Sequence, residues 1–146
     1  FSSYVNVLDK HEIQAFTDED FVDFAGMLST TVVYPELKVF SSLTVETGPV
    51  TVGATWRHIG SMDDISAAGG VETTIEGADS YDYFDFNGRV NIGERFQIYG
   101  GINNIADKKP PQLGGSAVDG EADSGTNQGT YDAIGRSFYL GLKAVF

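Results

Sequence analysis

The chain has 146 residues, carries a formal net charge of −12 and contains no cysteine. This length fits one domain, the lack of cysteine excludes a disulfide framework and a thiolate metal site, and the acidic balance argues against a nucleic-acid partner because no basic stripe could neutralise phosphates. No apolar run approaches the 18 or more residues that a membrane-spanning helix needs, so strands would have to make any membrane crossing.

Alternation of apolar and polar residues with a period of two predicts six strands of roughly ten residues each. In chain order they cover about residues 1–16, 36–46, 50–59, 83–92, 95–104 and 137–146. Side chains on a strand point alternately to opposite faces, so each predicted strand has one apolar and one mostly polar face. The predicted fold class is therefore all-β and antiparallel.

The last predicted strand shows this alternation most clearly. Its apolar positions are Phe138, Leu140, Leu142, Ala144 and Phe146, and they alternate with Ser137, Tyr139, Gly141, Lys143 and Val145. A soluble sandwich would bury the apolar face in its core, whereas a transmembrane barrel would turn it to lipid and the polar face to the lumen. Aromatic residues near the ends of the apolar stripes favour the barrel. They are Trp56, Phe84, Phe96, Phe138 and Phe146.

The predicted connections alternate between short turns and long acidic segments. Short turns are expected around Gly48 and Gly93, and long segments at about 17–35, 60–80 and 106–130. Residues 9–23, 63–82 and 107–132 contain six, six and five of the 21 acidic residues. Such long loops are uncommon in compact soluble domains, whereas outer-membrane barrels have short turns on one side and long loops on the other. Around Phe21 and Phe24, a short helix and an irregular loop both fit the pattern.

Candidate ligand-binding residues lie on the predicted polar face and at the bases of the loops. They are Tyr81, Tyr83, Asp85, Arg89 and Tyr131. Asp85 and Arg89, four residues apart on one face, are predicted to form an ion pair in the lumen. The acidic run from Asp119 lacks the glycine of a calcium loop, and no nucleophile elbow is present, so we expect no metal, no cofactor and no enzymatic activity.

Two motifs carry a family resemblance. Residues 103–111, Asn-Asn-Ile-Ala-Asp-Lys-Lys-Pro-Pro, resemble the Asn-to-Pro run near the end of TonB-dependent outer-membrane receptors. Residues 131–136, Tyr-Asp-Ala-Ile-Gly-Arg, followed by a strand that ends at Phe146, resemble the closing strand of that family. Tyr34, the segment from Trp56 to Gly60 and Asp85 also match in order, so the resemblance covers essentially the whole chain. Ile105 and Ala106 depart from the family's apolar-aromatic pair.

The resemblance implies that residues 1–146 form the C-terminal part, about six strands, of a transmembrane β-barrel of about 22 strands with a plug inside. Such a receptor lies in the bacterial outer membrane and imports a scarce nutrient with energy delivered by TonB. The implied partners are outer-membrane lipid and lipopolysaccharide, the remaining strands and the plug, TonB, and a small-molecule nutrient. Phe146 would belong to the signal that the barrel-assembly machinery reads. The sequence starts without Met at Phe1, which agrees with a piece of a longer protein.

Three alternatives stay open from the sequence. The acidic loops favour a neutral or cationic solute, such as an oligosaccharide or a cobalamin-like compound, over an anionic siderophore. The same carboxylates could instead bridge through divalent cations to lipopolysaccharide or keep the loops solvated. A soluble or secreted β-sandwich that binds ligand through its long loops is the alternative fold and function.

Overall fold

The computed structural model describes residues 1–29, 32–65, 77–111 and 125–145. In chain order the strands are β1 (Ser2–Val7), β2 (Glu12–Ile13), β3 (Val22–Asp23), β4 (Met27–Leu28), β5 (Val33–Tyr34), β6 (Leu37–Thr47), β7 (Val50–Ile59), β8 (Asp63–Asp64), β9 (Tyr81–Ile92), β10 (Phe96–Asn103) and β11 (Ser137–Ala144). Within these ranges, no helix is long and apolar enough to span a membrane.

The six long strands form one antiparallel sheet in the order β1, β6, β7, β9, β10, β11. Each long strand after β1 pairs with the long strand that precedes it in the chain. This confirms the predicted all-β, antiparallel class and the presence of all six predicted strands. The short strands lie in the long connections, where β2 pairs with β3 and β4 lies between β5 and β8.

The structure corrects the predicted end of the first strand and decides between the two alternatives for the segment around Phe21 and Phe24. The first strand ends at Val7 instead of near Phe16, because its partner β6 begins at Leu37 and the last ladder bond is Leu8 N to Glu36 O. The segment with helical spacing contains the short strands β3 and β4 instead of a helix. Gly26 lies between them with a φ of 73°, a left-handed conformation that interrupts a helix.

Both short turns lie at one end of the sheet, as predicted. Gly48 and Gly93 have φ values of 54° and 61°. Gly48 and Pro49 form a two-residue hairpin loop between Thr47 and Val50. Gly48 has a positive φ, whereas the ring of Pro49 requires a negative φ, and this combination corresponds to a type II′ turn. The C-terminal end of β11 lies at this same end, because Ala144 pairs with Phe96 just after the Gly93 turn. The long connections lie at the opposite end.

Strand register places the predicted apolar positions of the described strands on one face. Across the sheet, Phe138, Ile102, Phe86, Ala54 and Leu43 are direct neighbours in one row. Directly opposed residues share a face, so the apolar sets of five separately predicted strands coincide. We call this surface the apolar face and the other one the polar face.

The apolar face is exposed even in the middle of the sheet. Val52 and Phe86, on central strands, are 37% and 44% exposed, and Leu140 on the last strand is 82% exposed. Among the described residues, no second sheet covers this face, in contrast to the sandwich alternative, which requires two packed sheets.

The buried core lies instead against the polar face, at the long-loop end. Its members are Leu28, Ile59, Met62, Ala78, Tyr83 and Tyr131. Ile59 and Tyr83 belong to the sheet, while the others come from the connections, so this small core holds the loops against one end of the polar face.

Candidate functional site

Arg57 is the centre of a charged cluster on the polar face beside the buried core. Its Nε lies 3.1 Å from Asp85 Oδ2, and its Nη2 lies 2.6 Å from Asp132 Oδ2. Further hydrogen bonds from Nη1 to Asp132 and from Nη2 to Asp85 give each carboxylate two contacts with the guanidinium. The guanidinium carbon also lies 4.9 Å from the centre of the Tyr83 ring. One cation thus joins β7, β9 and the segment before β11.

Asn104 shapes the turn that follows β10 and connects it to this cluster. Its φ is 52°, a left-handed conformation that asparagine tolerates better than most residues. Its backbone N–H donates to Asp85 Oδ1 at 2.8 Å, and its side chain both donates to and accepts from the backbone of Lys108. Because a side-chain amide supplies both a donor and an acceptor, this fully buried asparagine closes the turn without leaving its own polar groups unpaired.

Asp107 joins the two motifs that carried the family resemblance. Its Oδ1 accepts a hydrogen bond of 2.9 Å from the backbone N–H of Arg136, and Lys109 Nζ forms an ion pair with the same carboxylate. Gly135 has a φ of 77°, which favours glycine, and a Cβ at this position would lie 2.8 Å from Asp107 Oδ1, so a larger residue would have to displace this carboxylate. Arg136 in turn donates to the carbonyl oxygen of Ile105. Residues 103–111 and 131–136 therefore form one unit.

The three tyrosines that were predicted as ligand-binding residues lie together at the buried core. The rings of Tyr81 and Tyr131 are in edge contact with centres 5.2 Å apart, and Tyr83 lies 6.1 Å from Tyr81. Tyr83 and Tyr131 are 0% and 2% exposed, so their rings pack the loops in this structure. Lys108 Nζ lies 4.7 Å above Tyr81. Burial raises the pKa of Tyr131 to about 12, so its hydroxyl stays protonated at neutral pH.

The structure separates Arg89 from the other predicted site residues. The predicted Asp85–Arg89 ion pair is wrong: Asp85 binds Arg57, whereas Arg89 binds Glu46 at 2.8 Å and Thr51 at 3.0 Å. Four residues along a strand span roughly 13 Å, which is too far for an ion pair, so both side chains bind across strands instead. Phe146, the predicted assembly signal, and the acidic run from Asp119 to Asp123 lie outside the described residues.

Four residues of this site were not among the predicted site residues and occurred only within the motif segments. They are Arg57, Asn104, Asp107 and Asp132. Alternation places Arg57 and Asp85 on the polar face, but strand register is needed to bring them within reach of each other. Asp132 comes from a segment with no regular period, so no pattern in the sequence indicates its contact with Arg57.

The charged groups of the cluster bind one another within the fold. Both carboxylates are held by the guanidinium, and no three His, Cys, Asp or Glu side chains converge as a metal site in the described ranges. A cleft of about 560 Å³ lies beside it, lined by residues that include Asn103, Ser137 and Ile134. This volume falls within the range of small-molecule sites.

The contact between Asp107 and Arg136 predicts a measurable pH dependence. The backbone N–H of Arg136 and, next, the ammonium of Lys109 lower the pKa of Asp107. Since an unfolded aspartate has a pKa of about 3.9, the contact should be intact above that value and weaken as the pH falls through the lower, folded pKa. We expect the amide of Arg136 to titrate in NMR spectra with a midpoint below about 3.9. An Asp107→Asn variant should lack this titration, and a midpoint above 3.9 in the parent protein would contradict the contact.

Comparison with family models, curated proteins and solved structures found no match to this chain, so no family is assigned by similarity.

Proposed function

We propose that the chain is the C-terminal part of the β-barrel of a TonB-dependent outer-membrane receptor, an active transporter that binds a scarce nutrient outside the cell. The observation that carries this proposal is the exposed apolar face, to which every long strand contributes. An apolar surface of this extent on a water-exposed sheet would aggregate, whereas in a bilayer it meets lipid.

The dimensions of the sheet support a membrane location. β6 has 11 residues, which at about 3.3 Å per residue and a tilt near 40° span about 25 Å along the membrane normal. This equals the usual height of the apolar band of an outer-membrane barrel, about 25 Å. The length of β6 therefore agrees with the lipid thickness.

Aromatic side chains support a boundary at the long-loop end. Trp56 and Phe84 are cross-strand neighbours on the apolar face near this end. The indole N–H of Trp56 donates to Asp82 Oδ1 at 2.7 Å, so its ring lies beside apolar neighbours while its polar edge has a polar partner. Tryptophan favours this arrangement at membrane interfaces.

The edges of the sheet support a larger barrel. Among the described strands, β1 pairs only with β6, and β11 pairs only with β10. An unpaired strand edge in lipid would leave backbone groups unsatisfied at a cost of several kcal/mol each. Further strands of the same receptor on both edges would pair these groups and remove this cost. The proposed receptor also has a plug and a TonB-contacting segment. The Arg57 cluster then holds the outer loops at the rim of the lumen.

Protease protection tests the orientation. If the short turns face the periplasm and the long loops face outward, protease added to intact cells should cut within 112–130 and spare the Gly48 and Gly93 turns. After the outer membrane is permeabilised, the Gly93 turn should become accessible. Cleavage there in intact cells would contradict the orientation, and recovery of the full-length protein in the soluble fraction without detergent would contradict the membrane location.

Uptake measurements test the transport function. Deleting the gene should abolish uptake of one nutrient, and deleting TonB should have the same effect on that nutrient. Uptake that persists without TonB would leave a passive barrel and contradict active transport.

A further inference from the structure

Two aromatic side chains lie side by side on the polar face at the β1 side of the sheet. Tyr4 on β1 and Phe40 on β6 are direct cross-strand partners, and both lie on the polar face by register. Their ring centres are 6.4 Å apart with planes inclined by 48°. Phe40 on the inner strand β6 is 42% exposed, and Tyr4, on the edge strand β1 of the described sheet, is 69% exposed. Tyr99 and Tyr139 are also exposed on this face, but each lies over a glycine of the neighbouring strand, whereas Tyr4 and Phe40 face each other. An exposed apolar pair of this kind is typical of a binding site.

A cleft lies over this aromatic pair at the long-loop end. Its volume is about 490 Å³, and it is bounded on one side by Gly129 and Thr130 from the segment before β11. Asn6 and Lys38, themselves cross-strand partners, lie at its margin and offer N–H donors. Ligand sites commonly combine such an apolar floor with a few polar groups that orient the ligand.

The charges around the cleft disfavour an anionic ligand. Arg57 also borders it, but its guanidinium is already bound by the carboxylates of Asp85 and Asp132. His58 likewise borders the cleft and contacts the carboxylate of Asp82 at 2.9 Å. Among the lysine and arginine residues that line the described cleft, this leaves Lys38, in a chain with a net charge of −12. This balance gives a phosphate or carboxylate ligand little attraction.

We infer that Tyr4 and Phe40 form a stacking platform for a neutral sugar ring of an oligosaccharide. A pyranose ring has an apolar C–H face that packs on an aromatic ring, and hydroxyl groups at its edge that accept from and donate to neighbouring polar side chains. The tilted rings supply the first requirement, and Asn6, Lys38 and Thr130 supply the second. This inference rests on the proposed function, because it names the nutrient class that the receptor would bind.

Calorimetric titration of the detergent-purified full-length protein with maltohexaose, cellohexaose and xylohexaose tests the platform. We expect at least one of these sugars to bind, and Tyr4→Ala or Phe40→Ala to raise its Kd roughly tenfold or more, as expected for removal of an aromatic anchor. Phe40→Leu keeps an apolar side chain without a ring and should lose binding similarly, whereas Phe40→Tyr should retain it.

Matched controls come from the same two strands. Val7 and Leu37 are direct partners on the apolar face of β1 and β6, so Val7→Ala and Leu37→Ala should leave sugar binding unchanged. Heat-modifiable gel mobility checks that each variant is folded. Hexagalacturonate, titrated in the same way, is the anionic comparison. The inference would be overturned if sugar binding survives both aromatic substitutions, if none of the three neutral sugars binds, or if hexagalacturonate binds more tightly than they do. If the protein fails these binding tests but lies in the outer membrane and needs TonB for uptake, the inference is wrong and the proposed function stands. If the protein is soluble, the proposed function itself is contradicted.

Discussion

The substitution Leu43→Arg should destabilise the protein in a lipid bilayer by about 2–4 kcal/mol, which is the cost expected for a guanidinium near the middle of the lipid-facing surface. Leu43 lies one residue from the centre of β6, on the apolar face, and is 51% exposed. In the proposed barrel, its side chain contacts acyl chains that cannot solvate a charge. Urea titration of the full-length protein folded into phospholipid vesicles would measure the loss.

Thr44 supplies the matched control for Leu43. It is the next residue on the same strand, lies on the polar face and is also exposed. Thr44→Arg should change the free energy of unfolding by only about 0.5 kcal/mol, as for an ordinary surface position. We expect Leu142→Arg on β11 to reproduce the large loss. Equal effects at Leu43 and Thr44 would contradict a lipid-facing surface, and a larger loss at Thr44 would reverse the two faces.

Removal of the Arg57 guanidinium is the second substitution with a large expected effect. Arg57→Met keeps much of the side-chain volume but leaves Asp85 and Asp132 without their shared cation. Hydrogen bonds to charged groups contribute about 1.5–3 kcal/mol, and we expect a loss in this range because the Arg57 side chain is 31% exposed and therefore partly screened. Arg57→Lys should recover only part of the loss, since one ammonium cannot contact two carboxylates with paired hydrogen bonds.

A double-mutant cycle assigns this loss to a particular contact. Asp132→Asn alone and together with Arg57→Met should give a coupling energy of about 0.5–3 kcal/mol. The Arg89 and Glu46 pair, 48% and 64% exposed, offers a comparison in which the coupling should be smaller. The same variants should expose residues 125–135 to protease before the rest of the protein unfolds. A coupling near zero, or protease resistance equal to that of the parent, would contradict the role of Arg57 in holding this segment.

The sequence by itself determined the long strands and their two faces. Strict alternation, as in Phe138, Leu140 and Leu142, specifies which side chains share a face, because the period of a strand is two. Glycine in the Thr47–Val50 and Ile92–Phe96 connections likewise specified the two short turns, since both turn positions require positive φ. These are local properties, and the described structure agrees with them.

Strand register and the buried cluster were decided only by the tertiary structure. Arg57 and Asp85 approach across two strands, and Asp132 reaches them from a segment 75 residues away from Arg57 along the chain. The glycines within strands have the same origin: Gly101 faces Tyr139, and Gly141 faces Tyr99, so each glycine leaves space for a ring from the neighbouring strand. Such contacts depend on how separate strands and loops are placed side by side. The alternation of side chains along one strand has a single period, and it carries no information about which residues of another segment will lie opposite.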